Sequence, residues 1–172
     1  MAENLKYLPS VVGSATGSLT NPYYYVYDYN GTDVATAKAT TNYQTYGVLY
    51  NWTAATTACP AGWHLPSDEE FKTLEKYLGM SQADTDLTGW ERGIDEGIKL
   101  KVNGSSNFNI KIVGDRSTTG TFEYLNIITT LWSSTLSGSS YWVRIFSPAY
   151  PTVFRSTRSK IQGFSVRCIR DY

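Results

Sequence analysis

The stretch Cys59-Pro-Ala-Gly-Trp-His-Leu-Pro-Ser-Asp-Glu-Glu-Phe-Lys-Thr-Leu74 constrains the chain more than any other. It reads as a tight link between two helices. Ser67 suits an N-cap, and Glu70, three residues on, completes a capping box. Asp68, Glu69 and Glu70 place negative charge in the first turn, where the helix dipole favours it. Phe71, Leu74 and Leu78 then fall on one apolar stripe, and Gly79 suits a left-handed stop. The spacing predicts a helix over 68–78, with Leu65 held extended by Pro66.

This stretch, with Tyr46-Gly-Val-Leu-Tyr-Asn-Trp-Thr-Ala-Ala55 before it and Gly163-Phe-Ser-Val-Arg-Cys-Ile-Arg-Asp171 at the end, resembles the Fibrobacter succinogenes major paralogous domain family. The resemblance runs from Met1 to Asp171. It implies an α+β, C-type-lectin-like domain over 1–172: two helices, a small terminal antiparallel sheet and a second β-rich lobe. It also implies a secreted or surface protein of Bacteroidetes-type bacteria. In a lectin-like fold, a cysteine at the end of the first helix pairs with one in the last strand. The two cysteines, Cys59 and Cys168, match those positions, and a bridge would fit an oxidising compartment. The alternative is two buried thiols. The resemblance begins at residue 1, and Met1-Ala-Glu-Asn-Leu is polar, unlike a signal peptide. The expectation is a piece of a longer exported protein.

Along the chain, the same reading expects a strand at 2–8, a loop at 13–22 and a strand at 23–29 ending in the Asn30-Gly31 turn. Residues 32–45 are ambiguous. Tyr46 to Ala58 reads as the first helix, 80–97 as loop or short helix, and 108–113 as a strand. Gly97-Ile-Lys-Leu-Lys101 resembles a family segment, whereas around Phe108 only Phe108, Gly114 and Arg116 keep the family pattern. Strands are expected at 131–135, 141–146, 152–156 and 164–170, with a turn at 137–140.

Composition narrows the function. Charged residues are only 17%, aromatic residues reach 15% with 14 Tyr, and the formal net charge is zero. No basic run supplies the footprint of a nucleic-acid partner. No apolar stretch is long enough for a transmembrane helix. A surface rich in Tyr, Ser, Thr, Asn and Gly resembles extracellular binding proteins, although Tyr-rich β-structure without any binding role shares that composition.

The chemical motifs argue against an enzyme. The one histidine, His64, has no nucleophile assigned to it by any motif and reads as structural. Nucleophile-elbow, dinucleotide and P-loop patterns are absent. No Cys/His cluster suggests a metal, and the Glu-Pro-Asn, Gln-Pro-Asp and Trp-Asn-Asp motifs of calcium-dependent sugar lectins are missing. Formylglycine-generating enzymes are similar in fold, and His64-Leu-Pro-Ser-Asp-Glu-Glu70 and Gly163-Phe-Ser-Val-Arg167 resemble them only loosely. No cofactor is expected.

The remaining candidate is a binding face. In strand 141–146, alternate residues point to opposite sides. The family pattern places Trp142 and Phe146 in the core, leaving Tyr141, Val143 and Ile145 on the other face, with Ser147, Tyr150, Phe154 and Ser156 beside them. Either this face contacts a ligand, or a loop or the upstream Tyr-rich segment covers it. The expectation is non-catalytic binding of a protein or glycan ligand at the cell surface, as in an adhesin, pilus tip or lipoprotein. The segment from Trp132 to Arg167 also has the placement of a retroelement-diversified region. A structural module that spaces a larger surface protein is the alternative. Arg155 and Arg158 could instead pair with the acidic helix start.

Overall fold

A computed structural model describes residues 1–171. Its central sheet has three antiparallel strands in the order β6 (Thr129–Ser137), β7 (Ser140–Phe146) and β8 (Phe154–Arg158). Trp132 pairs with Val143 and Val143 with Ser156; Ile145 pairs with Phe154, and Tyr141 with Arg158. Directly paired residues share a face, so Trp132, Val143 and Ile145 point one way, and Leu131, Arg144 and Phe146 the other.

Both faces are buried. The first packs with Tyr24, Tyr50, Phe164 and Val166 in the main core. The second packs with Phe71, Leu100, Ile110 and Val153. Phe71 lies on the helix that the capping box predicts, here α4 (Asp68–Tyr77). The Ser67 hydroxyl accepts from the Glu70 N–H at 3.2 Å, and the Glu70 carboxylate accepts from the Ser67 N–H at 2.8 Å. The chain leaves the helix through Gly79 at φ +118°.

α4 carries a second stripe that hydrophobic patterning does not register. Asp68, Lys72 and Glu75 are buried against the sheet. Arg144 from β7 reaches Glu75 at 2.6 Å and Asp68 at 2.7 Å. Arg155 from β8 reaches Asp68 at 2.6 Å, so the expected pairing of Arg155 with the acidic helix start is observed. Arg158 instead bonds Ser156 and the Thr157 carbonyl. Arg92 grips Glu75 at 2.6 Å, and Lys72 extends the network to Glu69 and Asp86. Burial would push the Asp68 carboxyl up, but Arg155 and Arg144 together hold it below its ordinary value of 3.8. This stabilisation is therefore present above that pH and is lost as pH falls through the depressed value.

The termini are tied together. β3 (Trp63–His64) pairs antiparallel with β9 (Ile169–Arg170), and Cys59 is disulfide-bonded to Cys168 across 109 residues of sequence. In the chain-entropy picture, closing a loop of this length stabilises by about 4–5 kcal/mol. The Met1 ammonium donates to the Cys168 carbonyl, and the Leu5 N–H to that of Val166. Residues 2–8 thus follow the closing segment as expected, but without a regular strand.

The front of the chain departs from expectation. The ambiguous region forms α1 (Val34–Ala39) and α2 (Thr41–Tyr46), capped by Asp33 and Thr40. The helix expected at 46–58 is broken up. Gly47 at φ +81° ends α2, Leu49–Tyr50 form β2 against β1 (Tyr24–Tyr25), and only α3 (Trp52–Ala55) is helical. A Cβ on Gly47 would also meet the Leu5 carbonyl oxygen at 2.8 Å. Asn51 enforces the break, since its Oδ1 accepts from the Ala54 and Tyr23 N–H groups.

Farther on, α5 (Gln82–Asp86) packs against α4, and α6 (Glu96–Leu100) brings Leu100 into the second core. A Cβ on Gly97 would collide with the Pro151 and Thr152 carbonyl oxygens, which accounts for glycine there. No strand forms at 108–113, because Asn107 and Asn109 take left-handed backbone and turn the chain. β4 (Asp115–Arg116) and β5 (Phe122–Glu123) make a small separate ladder. The strand expected at 164–170 is regular only in β9.

Breaking the buried network from one side leaves charges unpaired. Glu75→Gln is expected to cost about 3–5 kcal/mol in a denaturant titration. Gln at Lys76, one position on along α4, should cost no more than about 0.5 kcal/mol.

Candidate functional site

Two tryptophans that loops bring to the central sheet build the most conspicuous surface feature. Trp52 opens α3. Its ring N–H donates to the Ser133 carbonyl and its backbone N–H to that of Lys160, so the indole is fixed against both. Tyr141 stacks on it with ring centres 3.7 Å apart. Trp90 sits between two anchors: Gly89 bridges to Arg155 of β8, and Arg92 is locked in the ion network. Tyr150 stacks on Trp90 at 4.2 Å, nearly parallel, and Phe154 tilts against the same indole at 5.0 Å. Tyr150 is 44% exposed, while Tyr141, Phe154 and both indoles are half-buried.

These are two plates on one side of the sheet. Tyr141 and Ile145, the partner of Phe154, are four residues apart along β7, about 13 Å at strand rise. Ser156, half-buried, lies in the row between them and accepts a hydrogen bond from Arg158 at 3.0 Å.

Val143, Ile145 and Ser147 are corrected. Val143 and Ile145 belong to the main core, and Ser147 is buried beneath Lys101, whose ammonium donates to its carbonyl at 2.7 Å. The assumption behind their placement, that one face of strand 141–146 meets solvent, fails because Tyr24, Tyr50, Phe164 and Val166 cover it. Trp142 is not a core anchor either. It is half-buried on the opposite face, with the Arg155 guanidinium 3.6 Å above its ring. Trp52 and Trp90 escaped the sequence reading. The signal for Trp90 was an isolated indole in a polar segment between Gly89 and Gly93.

His64 sits between two carboxylates, with Nδ1 2.6 Å from Asp171 and Nε2 2.8 Å from Glu70. Hydrogen bonds to Asp171 and then Glu70 raise its pKa above 6.5. The ring fastens the chain end to α4. Among the described residues no group of three or more His, Cys, Asp or Glu is placed to hold a metal ion, and no helix is long and apolar enough to cross a membrane.

Asp115 of β4 is another strongly perturbed group. Its Oδ2 accepts from the Thr130 hydroxyl at 2.7 Å, while Oδ1 is buried without a partner. Burial pushes its pKa up to about 7, against smaller opposing effects of Thr130 and Arg158. A carboxyl raised in this way favours the folded state while neutral. That contribution is complete below 3.8 and is lost as pH rises through about 7. Asp115→Asn removes the dependence. The stability of the unsubstituted protein relative to this variant should therefore fall between those two pH values, as read from denaturant midpoints.

No curated protein matches the chain, and no solved structure does. The family model of the Fibrobacter succinogenes major domain matches residues 1–170. With that match spanning nearly its whole length, the chain belongs to the Fibrobacter succinogenes major domain family.

Proposed function

We propose that the chain is a non-catalytic ligand-binding domain of a secreted or surface-displayed bacterial protein, built on a C-type-lectin-like fold. The antiparallel pairing of β3 with β9, the disulfide beside it and the separate three-stranded lobe fit that fold. The disulfide fits an oxidising destination outside the cytoplasm.

The observation that carries the binding reading is the pair of aromatic plates. Each joins a solvent-reachable Tyr from the sheet region to a Trp held by loop anchors. Rigid aromatic rings bury large area with little conformational entropy to lose, which is the usual make-up of a binding hot spot. Tyr141, Tyr150, Phe154 and Ser156 are the binding residues in this reading, with Trp52 and Trp90 beneath or beside them.

The test is a screen of the purified domain on arrays of glycans and of surface proteins. Tyr141→Ala and Tyr150→Ala should each weaken a captured target by roughly tenfold or more with folding unchanged. Ala at Tyr77, exposed on α4, should leave binding intact. Full binding by the double variant would reject the site, and the absence of any target would favour a structural module.

If a retroelement diversifies the segment, sibling genes should vary at Tyr141, Tyr150, Phe154 and Ser156. They should conserve Trp132 and Arg144, which hold the two cores together. Variation spread evenly over both sets would reject diversification.

A further inference from the structure

Beside the Tyr141 plate, a cleft of about 250 Å³ opens between the β4–β5 ladder and the end of β8. Asp115, Ser117, Glu123, Tyr124, Arg158 and Gln162 line it. Unlike the apolar grooves elsewhere on the molecule, its lining residues hold more bonding capacity than the protein uses. Asp115 is 7% exposed and its Oδ1 accepts nothing. One Glu123 oxygen takes the Thr121 hydroxyl at 2.5 Å, and the other has no partner among the described residues. Arg158 spends Nη1 on Ser156 and the Thr157 carbonyl, leaving the Nε and Nη2 hydrogens without an acceptor there. Gln162 is oriented by its Oε1, which accepts from the Ser159 N–H at 3.3 Å, so its amide N–H₂ remains to donate.

The free groups therefore separate by sign. Above about pH 7, where Asp115 is ionised, two carboxylate oxygens need donors, and a guanidinium edge and an amide need acceptors. A buried carboxylate oxygen without a donor is costly, and a ligand that supplies a charged donor relieves most of that cost. A bare metal ion would also meet the Arg158 guanidinium. A neutral sugar ring would give donors but leave the charges unanswered. A primary ammonium offers three donors and a positive charge, and a carboxylate matches the flat guanidinium edge. The volume lies below the range usual for drug-sized ligands, which limits the occupant to one small molecule.

We propose that this cleft binds a small zwitterion of the free amino-acid type, its ammonium on Asp115 and Glu123 and its carboxylate on Arg158 and Gln162. The cleft adjoins the Tyr141 plate through Arg158, which pairs with Tyr141 and bonds Ser156, but the proposal does not rest on the role assigned to the plates.

The experiment is an amide NMR titration of the whole chain, held above about pH 7 so that Asp115 is ionised, with L-alanine, L-glutamine and L-lysine. Propylamine and propionate serve as half-ligands, and methyl glucoside and calcium chloride as competitors of other chemistry. Saturable shifts confined to residues 115–124 and 158–163 are expected with at least one amino acid at or below about 10 mM. Each half-ligand should bind at least about tenfold more weakly. Glu123→Gln and Arg158→Met should each weaken binding by about tenfold or more, with unchanged circular dichroism, whereas Tyr150→Ala should bind as the unsubstituted chain does. The proposal is overturned if none of the three amino acids gives saturable shifts there. It is equally overturned if only methyl glucoside or calcium does, or if both cleft variants bind normally.

Discussion

The buried ion network between α4 and the central sheet is the constraint on which the rest of the structure depends. Arg92, Arg144, Arg155 and Lys72 meet Asp68, Glu75, Glu69 and Asp86, with the inner members almost wholly removed from water. Such a network contributes little net stability compared with an apolar core of the same volume, because desolvation offsets the Coulomb gain. Its consequence is geometric. Fork-shaped guanidiniums bond carboxylates in few orientations, so the register of the helix over β7 and β8 is set by Glu75 and Asp68. The 84–92 segment is fastened by the same charges, and with it Trp90.

The disulfide acts on a different part of the problem. The chain is long, its regular elements are short, and many of its contacts join segments far apart in sequence. Tying Cys59 to Cys168 closes the largest loop in the unfolded chain and holds β3 and β9 in place. His64, bracketed by Glu70 and Asp171, adds a polar clasp at the same seam. Network and seam both reach the first turn of α4, the network through Asp68 and the seam through Glu70, so one helix receives both constraints.

These anchors decide what the surface can present. Because both faces of β7 are covered from Val143 to Phe146, those residues cannot form a binding face, and the aromatic surface comes from the open end of the strand at Tyr141 and from segments that meet the sheet. Trp52 and Trp90 arrive from segments held by Asn51 and by Arg92. The Asp115 cleft arises similarly, where the β4–β5 ladder and the 159–163 turn close over the end of β8.

The sequence by itself determined what is local. The Ser67 cap, the reach of α4, the Gly79 stop, the β6–β7 turn and strand 141–146 follow from hydrogen bonds and steric limits within a few residues. The pairing of Cys59 with Cys168 was available from the resemblance to the family. The helix expected at 46–58 failed because Asn51 could serve as a cap as readily as a helical residue, and only the partner strand at Tyr24–Tyr25 decides between them. Tertiary structure alone decided which side of β7 is covered, since alternation distinguishes the two faces of a strand but does not say what packs on either. It also decided that Lys72 and Glu75, which lie off the apolar stripe of Phe71, Leu74 and Leu78, are buried. A charge can lie in a core only when opposite charges from distant segments reach it there, and no local pattern encodes that meeting.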